Sequence, residues 1–173
     1  MMAGEWDVWF APNRMPTEDI DRLARETEAL GYDTLWYPEA MAYEAMAMGG
    51  YLLGRTTKLK LATGIANIYV RDPSAATQGH NTLNSLYDGR FILGLSNYRN
   101  CWLGLGFTTD DLDGNGSDRF LDAMVVWGTE AAIRARLQAH FDAGADHVAI
   151  QPFDPAGGAA PDWNALATFA PGG

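Results

Sequence analysis

Only one cysteine, Cys101, stands in this chain of 173 residues. That excludes an internal disulfide framework and agrees with a reducing compartment. Basic residues are also scarce: 12 Lys and Arg face 22 Asp and Glu, for a formal net charge of −10. A phosphate-backbone partner requires a basic surface, so nucleic acid is not an expected partner. No run approaches the ~18 uninterrupted apolar residues of a membrane span, and Met1 to Asp7 lacks the basic and apolar regions of a signal peptide. The expectation is a soluble, cytoplasmic protein without a membrane partner. The three histidines, His80, His140 and His147, show neither metal-ligand spacing nor a catalytic triad, so no metal site is expected.

What is present is the composition of a folded domain, with 47% hydrophobic and 20% charged residues, enough for a sizeable core. Trp6 to Phe10 is aromatic and β-branched and reads as a strand. A helix follows, with Thr17 as N-cap, Glu18 and Asp19 in its first turn, and Gly31 as its stop. Thr34–Tyr37 reads as the second strand, Tyr43–Leu53 as a helix, Lys58–Ile65 as the third strand, and Pro73–Tyr87 as a helix. Asp88-Gly89 makes a turn into a fourth strand, Arg90–Leu95. Such alternation predicts parallel strands joined by right-handed crossovers.

Beyond Leu95 the rhythm breaks into an aromatic and glycine-rich stretch and a polar loop. Asp118–Trp127 reads as a helix. An amphipathic helix capped near Thr129 runs to Ala143, with Ile133, Leu137 and Phe141 on one face. His147–Pro152 is the last strand, and a short helix covers about Asp162 to Phe169. No linker or repeat divides the chain, so residues 1–173 read as one domain.

Three stretches carry more than fold information: Gly31-Tyr32-Asp33-Thr34-Leu35-Trp36-Tyr37-Pro38-Glu39-Ala40, Leu61-Ala62-Thr63-Gly64-Ile65-Ala66-Asn67-Ile68-Tyr69-Val70-Arg71-Asp72-Pro73, and Gly89-Arg90-Phe91-Ile92-Leu93-Gly94-Leu95. Each is a strand whose C-terminal end carries glycine or polar residues, the edge on which (β/α) barrels place their sites. In these stretches the chain resembles the luciferase-like monooxygenase superfamily, and within it the oxidoreductases that use the deazaflavin coenzyme F420. Gly144-Ala145-Asp146-His147-Val148-Ala149-Ile150-Gln151-Pro152, with the helix before it, resembles the family's last helix–strand unit.

A complete barrel takes ~250 residues. The resemblance therefore implies an internal deletion, with Leu93 to Arg99 joining the end of strand four directly to the family's late helices. The fold expected is α/β: a partial (β/α)8 TIM-barrel-like arc of about five parallel strands, the last beside the first, with strands four and eight as open edges. Open edges favour pairing with another chain, so a homo-oligomer is expected.

The resemblance implies that Glu39 is both catalytic and cofactor-binding: it would contact the deazaflavin or its substrate and help orient or protonate. The family often places a histidine next, where this chain has Ala40. Gly64 and Ile65 fall where relatives bulge the third strand, often through a cis peptide, to back the cofactor ring, and Asn67 would offer its amide there. Gly94 is what remains of the glycine-rich turns that hold the cofactor's tail. The activity implied is hydride transfer between coenzyme F420 and a small organic substrate. The alternatives are an FMN-dependent monooxygenase or a non-catalytic remnant that self-associates. Trp9, Trp36 and Trp102 could line a flavin-sized cavity, although strand aromatics are commonly core; Cys101 reads as a packing residue. Asp111-Leu112-Asp113-Gly114-Asn115-Gly116 matches the opening of a calcium loop, with Asp122 at its twelfth position. Asp118 at the eighth position and the missing twelfth glutamate favour a simple turn.

Overall fold

A computed structural model of the chain describes residues 5–40, 42–96, 106–114 and 116–171. Cys101, Trp102, Asn115 and the junction residues Asn97 to Arg99 lie outside the described residues. Two compact units are present, one built from residues 1–96 and 146–173 and the other from 97–145. No helix among the described residues is long and apolar enough to cross a membrane.

The first unit is organised by a five-stranded parallel sheet. Its strands are β1 (Glu5–Trp9), β2 (Thr34–Tyr37), β3 (Lys60–Thr63), β5 (Phe91–Ile92) and β7 (His147–Ile150), in the order β5-β3-β2-β1-β7. The last strand pairs with the first, Glu5 opposite His147 and Val8 opposite Ile150. Helices α1 (Thr17–Ala29), α2 (Ala45–Leu53) and α3 (Pro73–Leu86) form the crossovers between the first four of these strands. The sheet is thus the five-stranded arc of a partial (β/α)8 fold, flanked by helices.

Helix α1 starts one residue away from the expected cap. Pro16 is the extended N-cap residue and makes no side-chain cap bond, while Thr17 lies inside the helix; proline's fixed φ suits the entry and leaves Thr17 no capping role. The far end is held by Gly31 at φ 82°, a conformation that favours glycine. Helix α3 has a side-chain cap: Asp72 accepts from the N–H groups of Ser74 and Ala75, with Pro73 in the first turn.

Packing between α2 and the sheet is close enough to need a glycine. Tyr37 is fully buried, and its hydroxyl donates to the Ala45 carbonyl at 2.7 Å. A Cβ on Gly49 would lie 2.6 Å from the Tyr37 hydroxyl oxygen and 2.7 Å from the Phe91 ring. The C-terminal end of α2 is tied down by Arg90, whose guanidinium donates to the carbonyls of Leu53, Thr56 and Leu59. At the other end of the unit, the Tyr32 hydroxyl donates to Leu166 of α6 (Trp163–Thr168) at 2.8 Å.

Glu28 of α1 organises the loop entering β3. Its carboxylate accepts from the N–H groups of Thr57, Lys58 and Leu59 at 2.8, 2.7 and 2.9 Å. Burial raises this carboxyl's pKa, but the backbone donors outweigh it and the net shift is downward.

The expected fourth strand, Arg90–Leu95, is divided. After β5 the chain breaks off and pairs again as β6 (Leu95–Ser96) in a separate two-stranded sheet with β4 (Ala66–Asn67). The cause is a side chain entering the ladder: Gly94 N donates to Thr63 Oγ1, and Thr63 Oγ1 donates to Gly94 O, both at 2.9 Å. A Cβ at Gly94 would lie 2.3 Å from the Thr63 carbonyl oxygen, so this approach is open only to glycine.

The second unit contains a single 3-10 turn (Asp110–Leu112) and helices α4 (Asp118–Met124) and α5 (Glu130–Asp142) among its described residues. Ser117 caps α4 through Phe120 N, and Thr129 caps α5 through Ala132 N. Helix α4 stops three residues short of the expected Trp127, because Val125 turns to an extended conformation and two successive β-branched valines lower helix propensity. On α5 only Leu137 of the expected apolar face is buried, with Ile133 and Phe141 half-exposed. The calcium-loop carboxylates are engaged elsewhere. Asp111 binds Ser117, Arg119 and Thr108, Asp113 accepts from Gly114 N, and Asp122 accepts from the Trp127 indole.

Two outcomes follow for stability. Gly49→Ala should destabilise the protein by about 1–3 kcal/mol through overpacking against two held aromatic rings. Gly50→Ala, which meets only a flexible Leu83 methyl at 3.3 Å, should be close to neutral; thermal melts of the two variants compare them directly. Because Glu28's folded pKa is depressed from the ordinary 4.5, its stabilisation is present above that value and disappears as pH falls through the lower folded pKa. Melting temperature measured from pH 7 down to pH 3 should therefore fall less steeply in Glu28→Gln, which starts lower at neutral pH by roughly 1–2 kcal/mol.

Candidate functional site

The C-terminal ends of β1, β2 and β3 converge around Gly64. The Trp9 indole at the end of β1 donates to the Gly64 carbonyl at 2.8 Å. Gly64 N donates to Tyr37 O at 2.8 Å, and Glu39 N donates to Ile65 O at 2.9 Å. The peptide bond between Gly64 and Ile65 is cis, the geometry the family resemblance implies at this position. Space is tight: a Cβ on Gly64 would lie 3.0 Å from Trp9 Nε1 and 3.3 Å from the Trp36 ring.

Glu39 stands at the centre. Its Oε2 accepts from Asn67 N at 2.7 Å and from an Arg71 guanidinium N–H at 2.9 Å. Its Oε1 accepts from the second terminal nitrogen of Arg71 and, at 3.3 Å, from Ala45 N. The same arginine also donates to Asn67 O and to Glu44 Oε1. The two paired side chains are only 9% and 11% exposed for Arg71 and Glu39. Burial raises the Glu39 pKa, yet the Arg71 pair and the backbone donors prevail and hold it below the usual carboxylate range. A carboxylate with both oxygens occupied in this way is ionised at neutral pH. Its geometry suits fixing loops and orienting neighbours better than delivering a proton.

The structure thus brings Glu39, Gly64, Ile65 and Asn67 together. Asn67 turns its side-chain oxygen to Tyr69 N at 3.0 Å. Gly94 joins through the backbone: its carbonyl accepts from Ala66 N at 2.8 Å, just beyond the Gly64–Ile65 bond. Trp9 and Trp36 flank Gly64, while Trp102 lies outside the described residues. Sequence reasoning left Arg71 and Glu44 without a role. Nothing in spacing reveals a partner 32 positions away; the available signal was Asp72-Pro73, a helix start that holds Arg71 at the loop's end.

Parts of this chain are similar to known proteins. A 5,10-methylenetetrahydromethanopterin reductase of Methanolobus tindarius is 31% identical over 92 residues, covering 51% of this chain and 27% of that protein. A Mycobacterium tuberculosis protein named for coenzyme F420-dependent oxidoreductase activity is 30% identical over 80 residues, 46% of this chain and 23% of its own. The chain therefore matches about a quarter of the length of these two relatives. Among solved structures, the coenzyme F420-dependent tetrahydromethanopterin reductase from Methanopyrus kandleri superposes with a TM-score of 0.51 at 25% identity, over 61% of this chain and 30% of that one. Residues 5–97, which contain every element of the site around Gly64, match the luciferase-like monooxygenase family. The chain belongs to that family.

Proposed function

We propose that this protein is an oxidoreductase that uses coenzyme F420 to move a hydride to or from a small organic substrate. The observation that carries the reading is the network joining Glu39, Asn67 and Arg71. It closes the loops after β2 and β3 around Gly64 in a chain whose relatives include proteins named for F420. When bound, the deazaflavin ring supplies the carbon that accepts or releases the hydride.

The residues present fit such a ring. On its Cβ side Gly64 is packed against Trp9 and Trp36, which fixes the Gly64–Ile65 backbone as a backing for a planar group. Asn67 has its carboxamide oxygen engaged by Tyr69 N, and its amide NH2 is the donor it would offer a ligand. Glu39 works in this reading as an orienting anion held by Arg71, and Gly94 keeps the strand next to Ile65 and Ala66 in place. Positioning of this kind is the protein's main contribution to hydride transfer.

Within the same reading the chain self-associates. Strands β5 and β7 end the parallel arc. At β5 the Asn84 side chain takes both backbone groups of Phe91, so β7 is the edge a second copy would cover.

Fluorescence titration with coenzyme F420 and, separately, with FMN tests the cofactor. Saturable micromolar binding of F420, weakened about 2- to 10-fold in Asn67→Ala, is the expected outcome. Binding of FMN alone would move the protein to the monooxygenase chemistry of the same family, and no binding by a folded protein would leave a non-catalytic remnant. Sedimentation velocity should show a dimer or larger species, and a monomer at tens of micromolar would remove the self-association.

A further inference from the structure

The opposite end of the sheet holds a second cluster. Glu5 opens β1, Asp33 immediately precedes β2, and His147 opens β7, so all three lie at the N-terminal ends of adjacent strands. Trp9, four residues along β1 from Glu5, is ~13 Å away at the Gly64 end. One ligand atom from each of Glu5, Asp33 and His147 falls within 4.8 Å of the other two. His147 Nε2 lies 3.1 Å from Glu5 Oε2.

A buried carboxylate stands behind the imidazole. Asp7 is 1% exposed, its Oδ2 is 3.3 Å from His147 Nδ1, and the same oxygen accepts from the Trp36 indole at 2.9 Å. Its Oδ1 is buried with no hydrogen-bond partner among the described residues. A carboxylate on Nδ1 keeps a proton there, so it is Nε2, the nitrogen facing Glu5, whose lone pair a cation would take by displacing its proton. This is the carboxylate–histidine arrangement that supports metal-ligating imidazoles.

Charge balance points the same way. Three carboxylates meet one ammonium, that of Lys60, which lies 3.0 Å from Asp33 Oδ2 and 3.8 Å from Glu5 Oε2. Once the imidazole ligates through Nε2 as the neutral ring, three carboxylates against one ammonium leave two negative charges, which one divalent cation cancels. Ligand atoms around a tetrahedral ion with bonds of ~2.0–2.2 Å sit about 3.3–3.5 Å apart. Glu5 and His147 already approach that spacing, and Asp33, with a ligand atom within 4.8 Å of both, joins them by a side-chain rotation. Lys60, half-exposed on a flexible stem, can swing to solvent.

We infer that Glu5, Asp33 and His147 form a binding site for a first-row divalent cation such as Zn2+, with Asp7 as the orienting carboxylate and a fourth coordination position left to water. One imidazole and two carboxylates are a borderline-hard donor set suited to such ions. The site clamps β1, β2 and β7, and is separate from the residues proposed to hold the cofactor.

Isothermal titration of chelator-stripped full-length protein with Zn2+ tests it. One ion should bind per chain, with binding lost in His147→Ala and weakened about 10- to 100-fold in Asp7→Asn. Lys60→Met, which removes the competing ammonium, should bind Zn2+ several-fold more tightly. Absence of saturable binding to the folded wild-type chain would overturn the inference, as would binding unchanged in His147→Ala or not tightened in Lys60→Met. F420 affinity in His147→Ala should equal that of the wild type, which keeps this test apart from that of the cofactor reading.

Discussion

One ion pair holds the loops around Gly64 together. The carboxylate of Glu39 binds Arg71 through both oxygens and collects two backbone N–H groups besides. Those contacts reach the loop after β2, the start of α2, and the segment joining β4 to α3. With both side chains about nine-tenths buried, the pair is costly to create and costlier to break: removing one partner of such a pair typically costs about 3–5 kcal/mol, because the other charge stays buried alone. Glu44 and Asn67 O share the other N–H groups of Arg71's two terminal nitrogens.

The strands and crossovers were legible because their signals are local. Thr34–Tyr37 is β-branched and aromatic, Gly31 supplies the left-handed stop, and Asp72-Pro73 announces a helix start; each does in the structure what its chemistry implies. The parallel arc with its last strand beside its first followed from the alternation and the family resemblance together. The grouping of Glu39 with Gly64, Ile65 and Asn67 rested on resemblance, and the structure brings those residues together at the ends of two adjacent strands.

What escaped the sequence depends on side chains meeting across distance. The division of the fourth strand arises when Thr63 Oγ1 inserts between two ladders at Gly94, and no pattern in residues 90–95 records that. The anchoring of β3's entry by Glu28 is likewise invisible, since a helical glutamate reads as a solvated surface residue. The residues around His147 come from the N-terminal ends of different strands. Their absence of metal-like spacing in the sequence therefore says nothing about whether they meet.

The pairing of β7 with β1 also dictates an order of events. All four register positions of that pairing join residues 5–8 to residues 147–150, so the contact closes a loop spanning most of the chain. Loop closure of that length is slow relative to the local crossovers. During synthesis the first strand leaves the ribosome long before its partner exists, and β2 is the only neighbour it then has in this sheet. Its other side stays open until the last strand emerges, leaving the nascent arc exposed to foreign strands through most of translation.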